Sequence, residues 1–231
     1  MKTIVLEKEE CIQKAADRIQ TLLEEKPDAV LALATGRTMT GLYQELARRC
    51  SAGALSLKQA RVFAVTEFEA VDDALSCASA LRKLAETTDL AEEKLTLLCP
   101  DNVENYDALL SEAGGLDLAV LGLGDNAHIG FNEPATPFDS KTHRQKLTAA
   151  TKRQYASVFG SEDAVPDYGL TMGIHTLTSA RDILVLAFGD EKAEAVFKML
   201  YARNDSAVPA AFLQIPLQVT VYVDGAAAKK L

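Results

Sequence analysis

A three-layer α/β sandwich of Rossmann-like type, with a mostly parallel sheet, is the fold class the sequence predicts. Short runs rich in Val, Ile and Leu recur along the chain as TIVLE, AVLALA, RVFAV, LDLAVLGL, DILVLAF and VTVYV. They are apolar at successive positions, the pattern of strands covered on both faces, which a parallel sheet between helical layers requires. Between them Ile12, Ala16, Ile19, Leu22 and Leu23 fall at helical spacing, as do Tyr106, Leu109 and Leu110. Strand and helix patterns alternate, and that βαβα order places helices on both faces of the sheet.

With 231 residues, 48% hydrophobic and 25% charged, the chain reads as one domain spanning residues 1–231. One stretch departs from the rhythm. From 134 to about 169 the sequence PATPFDSKTHRQKLTAATKRQYASVFGSEDAVPDYG carries Pro, Thr, Ser and charges, with a weak helical pattern only around 150–159. It reads as a long excursion from the sheet and a candidate lid. No apolar window of membrane-spanning length is present, and MKTIVLEKEE turns acidic before a signal-like stretch develops, so a cytoplasmic location without membrane association is expected. Cys11, Cys50, Cys77 and Cys99 lie far apart without a CxxC pair, so reduced thiols and no metal site are expected. A formal net charge of −9 argues against nucleic acid as a partner. A small anion would need local cations and backbone N–H donors.

In open α/β sheets the ligand crevice lies at the carboxyl ends of the strands. After AVLALA comes Thr35-Gly36-Arg37-Thr38 and then a helical pattern through Leu42, Tyr43, Leu46 and Ala47. A glycine turn leading into a helix N-terminus offers amides and a favourable dipole to a phosphate. Read alone, TGRT is equally a turn at Gly36 with Thr38 as a cap. After LDLAVLGL comes GLGDNAHIGFNEP, in which His128 and Glu133 stand five residues apart among glycines. Such a pair at a strand end can share a proton and serve a sugar oxygen.

The segment LGLG-x-x-x-HIGFNEP resembles the signature of the glucosamine-6-phosphate and galactosamine-6-phosphate isomerase/deaminase family, and other landmarks follow in order. LATGRTMTGLYQEL is similar to the family's phosphate loop, with Arg37 and Met39 where a small residue and a proline are usual. RVFAVTEFEAV resembles its strand ending in Asp-Glu-aromatic, and YGLTMGIHTLTSARDILVLAFGDEKAEAV its closing half. The resemblance covers nearly the whole chain, and GGLDLAVLGLG with SAVPAAFLQ leans towards the galactosamine branch. It implies aldose–ketose isomerisation coupled to loss of ammonia, from a hexosamine 6-phosphate to a ketohexose 6-phosphate, with no cofactor and no metal. The implied partner is a phosphorylated amino sugar, and a homo-oligomer is compatible with the family. By the same resemblance His128 opens the sugar ring, Glu133 orients it, and Asn126, Thr66 and Glu67 complete the catalytic set. Thr35, Gly36, Arg37 and Thr38 cradle the 6-phosphate, and Lys192 of GDEK supplies its positive partner.

Two departures bear on the chemistry. Thr66 stands where the family carries its proton-abstracting aspartate, and a hydroxyl is no base near neutrality; a positioned base contributes roughly two to four orders of magnitude in rate. Asn126 replaces the aspartate usual two residues before the histidine, a change compatible with the galactosamine branch. Glu67 is the nearest carboxylate to position 66, but adjacent residues of an extended segment point in opposite directions. Glu69, Asp72 and Asp73 read as a solvated acidic loop, and Asp125 is no better placed. A second phosphate-binding arginine of the family aligns with Ser157, with Lys152 and Arg153 nearby. His143 and Gln145 stand where allosteric members carry basic residues, so that regulation, like the C-terminal extension of those members, is expected to be absent. The alternatives are a catalytically weak or inactive sugar-phosphate-binding relative and, with less support from FNEP, a 6-phosphogluconolactonase.

Overall fold

The computed structural model describes residues 1–231. In chain order the elements are β1 (Lys2–Val5), α1 (Lys8–Glu25), β2 (Val30–Leu33), α2 (Arg37–Ser51), β3 (Arg61–Ala64), β4 (Thr66–Phe68), α3 (Cys77–Thr87), β5 (Leu95–Thr96) and α4 (Tyr106–Glu112). They continue with β6 (Leu118–Gly122), β7 (His143–Lys146), α5 (Ala149–Phe159), β8 (Tyr168–Thr171), α6 (Ile174–Thr178), β9 (Asp182–Ala187), α7 (Ala193–Tyr201) and β10 (Val219–Val223).

All six apolar runs are strands of one sheet, ordered β1-β10-β9-β6-β2-β3-β5 with every neighbouring pair parallel. Every residue of β2 and β9 is buried, which is why their sequences are apolar without alternation. TIVLE differs from that expectation: β1 is an edge strand that pairs only with β10, and its ends are exposed. α1 buries Cys11, Ile12, Ala15, Ala16, Ile19 and Leu23 against the sheet. On α4 Tyr106 and Leu110 are buried, whereas Leu109, read as part of the same apolar face, is 37% exposed. The Tyr106 hydroxyl lies 2.9 Å from the carbonyls of Ala64 and Thr96, which ties α4 to β3 and β5. No helix is long and apolar enough to cross a membrane.

The excursion is a folded layer. It supplies β7 and α5 and runs into β8, and β4, β8 and β7 form a separate antiparallel sheet in that order. Beneath it Phe68, Cys77, Phe131, Leu147 and Val165 form a small core, with Tyr155 and Phe159 of α5 packed against it. Both rings meet Phe68 edge-on, at 4.9 and 5.0 Å between centroids. The Thr148 side chain caps α5 by accepting from the Thr151 amide, and Gly160 ends the helix in the left-handed region.

From β2 the chain proceeds to β3 and β5 on one side, then returns to β6 on the other and continues to β9 and β10. Strand order therefore reverses between β2 and β6. The connections leaving the carboxyl ends of these two strands diverge, and a crevice opens between them.

Candidate active site

A cavity of about 290 Å³ occupies this crevice, a size suited to a metabolite. It is lined by Ala34 to Thr38 after β2, by Gly122 to Gly124 and His128 after β6, and by Phe188, Glu191 and Lys192 after β9. Thr66, Gly130, Lys8 at the start of α1, and Gln154, Tyr155 and Val158 of α5 complete it. Of the sequence-predicted residues, Thr35, Gly36, Arg37, Thr38, Thr66, His128 and Lys192 reach the cavity, while Glu133, Asn126 and Glu67 do not.

On one wall Gly36 precedes α2 at φ 112°, a conformation that requires glycine, and no side chain caps the helix. Thr38 therefore lies in the first turn and is not its cap. The amides of Gly36, Arg37 and Thr38 meet no acceptor within the protein, so the first turn of α2 presents free donors and the positive end of its dipole to the cavity. Lys192 closes the short 3-10 turn Asp190–Lys192 ahead of α7. It is buried, with Nζ 2.6 Å from Asp125 Oδ1. Lys8 lies over the Phe188 ring at 5.9 Å, and neither Lys8 nor Arg37 has a carboxylate partner within ion-pair distance. In an acidic molecule these cations supply the local positive field that an anion needs.

On the facing wall His128 is 4% exposed. One face of its ring rests on the backbone of Gly124, where an added Cβ would lie 2.3 Å from Cε1 and Nε2. Nδ1 is 2.7 Å from Asn126 Oδ1 and 3.2 Å from Thr151 Oγ1. The Asn126 amide is oriented by its other end, since Nδ2 donates to Glu133 Oε2 at 2.8 Å. Thr151 likewise spends its hydroxyl proton on Glu133 Oε1. Both neighbours of Nδ1 are thus acceptors, so Nδ1 carries the proton and Nε2 keeps a free lone pair.

Glu133 also accepts from the Thr148 amide at 3.0 Å and the Thr148 hydroxyl at 3.1 Å. It lies behind the imidazole, 3.8 Å from Nδ1, and does not share the cavity with it. Burial pushes the His128 imidazole below its ordinary range; Glu133 opposes the shift, Lys192 adds to it, and Asp125 opposes it weakly. The neutral, proton-accepting ring is therefore the form held at neutral pH.

Thr66 reaches the cavity from β4, with Oγ1 3.6 Å from Cys77 Sγ. Its neighbour Glu67 turns the opposite way. The Glu67 carboxylate accepts from the amides of Phe68, Cys77 and Ala78, each at 2.8 Å, and so caps α3. Burial raises its pKa, and the three amides oppose that rise. Glu69 is paired with Arg144 and Asp73 with Arg82, so two members of the acidic loop are ion-paired and not merely solvated. Lys152 is held by Asp167, whereas Arg153 and Ser157 line a groove beside the cavity together with Arg37. His143 Nε2 lies 3.1 Å from Gln145 Oε1, on the far side of the excursion. The sequence reading missed Lys8, Gln154, Tyr155, Phe188 and Glu191. The prior signs of any of them were the weak helical pattern of α5 and the position of Phe188 and Glu191 at and after the DILVLAF strand end. No grouping of three His, Cys, Asp or Glu side chains that could hold a metal ion is present.

Comparison with known proteins identifies the family. Residues 7–222 match the family model described as glucosamine-6-phosphate isomerases/6-phosphogluconolactonase. A glucosamine-6-phosphate deaminase of Mycolicibacterium smegmatis is 38% identical, over 94% of this chain and 87% of its own length. One of Bacillus velezensis is also 38% identical, over 95% of each chain. Among solved structures, a monomeric glucosamine-6-phosphate deaminase superposes with a TM-score of 0.96 at 35% identity, over the full length of both chains. The 6-phosphogluconolactonase of Trypanosoma brucei superposes at 0.76 with 19% identity, a likeness of fold alone. The chain belongs to the glucosamine-6-phosphate isomerase/6-phosphogluconolactonase family.

Proposed function

We propose that this protein is an isomerase/deaminase of hexosamine 6-phosphates, converting the amino sugar to a ketohexose 6-phosphate with release of ammonia. One observation carries the reading: a helix N-terminus with free amides and an imidazole with a free Nε2 line the same sugar-sized cavity. The phosphate dianion binds the amides of Gly36, Arg37 and Thr38, with Lys192 and Arg37 as cations. That contact fixes the sugar so that its ring oxygen and C1 hydroxyl come to Nε2. Nε2 takes the proton from the C1 hydroxyl and returns it to the ring oxygen as the C1–O5 bond breaks. Asn126, Thr151 and Glu133 act through the imidazole by holding its tautomer and angle. Thr66 contacts the sugar without serving as a base, and α5 closes over it as a lid through Gln154 and Tyr155.

The activity of curated relatives supports the same substrate class, and eight of them, 34% to 39% identical to this chain, are glucosamine-6-phosphate deaminases, named for the gluco epimer. The wording of the sequence leans towards the galacto epimer, so the epimer is left to measurement. Charged sugar phosphates do not cross membranes unaided, and a cytoplasmic setting follows from this substrate. Purified protein should release ammonia and form a ketohexose 6-phosphate from glucosamine 6-phosphate, galactosamine 6-phosphate or both. Absence of turnover of either epimer at high enzyme concentration would overturn the reading.

A further inference from the structure

Conversion of an aldose to a ketose moves a hydrogen from one carbon to its neighbour, which requires a group that can hold a proton and give it back. Few groups in this cavity qualify. Glu67 is committed to the N-terminus of α3, Glu133 lies behind the imidazole with its oxygens taken, and Asp125 is held by Lys192. The one carboxylate that lines the cavity is Glu191. It folds back over its own turn, since a Cβ added at Gly189 would lie 2.5 Å from its Oε2, and it neighbours Lys192 at the phosphate end. The Tyr155 phenol is pushed up by burial, so it donates and does not accept a proton at neutral pH.

Resting on the isomerase/deaminase reading, we propose that His128 Nε2 also carries the carbon-bound proton from C2 to C1, so that one imidazole performs both the ring-opening and the isomerising transfer. In the opened amino aldose, Nε2 takes the C2 hydrogen as a proton. The electrons of that C–H bond become the C1=C2 double bond, and the C1 carbonyl oxygen becomes a hydroxyl with a proton from the substrate's own ammonium group. The imidazolium then gives its proton to C1 as the nitrogen lone pair closes a C2=N bond. Water converts this iminium to the ketone and an ammonium ion leaves. The imidazole ends neutral, as it began. Of the charged groups around it, Glu133 and Asp125 favour the intermediate imidazolium and Lys192 opposes it.

The test is deuterium entry at C1 of fructose 6-phosphate in heavy water containing ammonium chloride, followed by NMR. The open-chain ketose forms spontaneously, so this readout does not depend on ring opening by the enzyme. The parent protein should exchange this hydrogen. His128→Asn, with His128→Gln in parallel, should lose exchange by about a hundredfold or more together with ammonia release. Glu191→Gln should retain exchange, whatever it does to KM. Thermal stabilisation by fructose 6-phosphate verifies that the histidine variants fold and still bind. If both histidine variants lose ammonia release yet exchange at the parental rate, or if Glu191→Gln abolishes exchange, the assignment is overturned. A parent that deaminates neither hexosamine phosphate and exchanges nothing would instead remove the functional reading, and this assignment with it.

Discussion

Asn126 sets which nitrogen of His128 is free. Its carbonyl faces Nδ1 because its amide is held by Glu133, and a carbonyl, unlike a carboxylate, adds no charge that would favour the imidazolium. With burial lowering the imidazole pKa, the neutral base persists as pH falls below the ordinary histidine value of about 6.5. The acid limb of kcat/KM should accordingly lie below that value. Asn126→Asp places a negative charge 2.7 Å from Nδ1, which favours the protonated ring. The limb should therefore move to higher pH, by about one unit or more. A pH–rate profile of the two proteins measures this, and an unmoved limb would show that the amide does not set the protonation of the ring.

The strand–helix junction around β4 shows how elements, more than single residues, decide which side chain faces the substrate. Glu67 accepts two amides at the start of α3 and that of Phe68, and this leaves Thr66 as the residue of β4 that faces the cavity. Removal of the carboxylate strands buried donors, a loss of about 1–3 kcal/mol. Glu67→Ala should lower the unfolding free energy by about that much in urea titration, while KM for the sugar phosphate changes far less than stability. The opposite orientations of residues 66 and 67 were legible in the sequence because an extended backbone alternates its side chains. The strands buried by helices were legible for a related reason, since double coverage leaves an unbroken apolar run; β1 has such a run too but lies at the sheet edge with its ends exposed. The strands TEF, HRQK and YGLT were not, because three or four residues of mixed polarity carry no distinctive period. Tyr155 and Gln154 were missed because a helix that packs from the far side of the fold contributes to the cavity without any local motif. Glu133 was legible from its spacing to His128 and from the resemblance, but its place behind the imidazole depends on Thr148 and Thr151, which lie beyond it in the chain.

Across the whole molecule two cores of very different size set the order of stability. The central sheet is buried in a cluster of 56 residues, whereas the layer of β4, β7, β8 and α5 rests on a cluster of five. Layers with less buried apolar area open more readily. In hydrogen exchange the amides of α5 should therefore exchange faster than those of β2, β6 and β9 in the free protein, and should slow when hexosamine 6-phosphate is present. Equal protection of both regions, or no response of α5 to the sugar, would remove the lid. The reversal of strand order between β2 and β6 has a bearing on durability as well as on recognition. A ligand bound both at the Gly36 turn and at Lys192 would bridge the two halves of the sheet, adding to the β2–β6 ladder and the shared apolar core that already join them. By mass action the protein with its ligand bound should then be a sturdier object than the empty one.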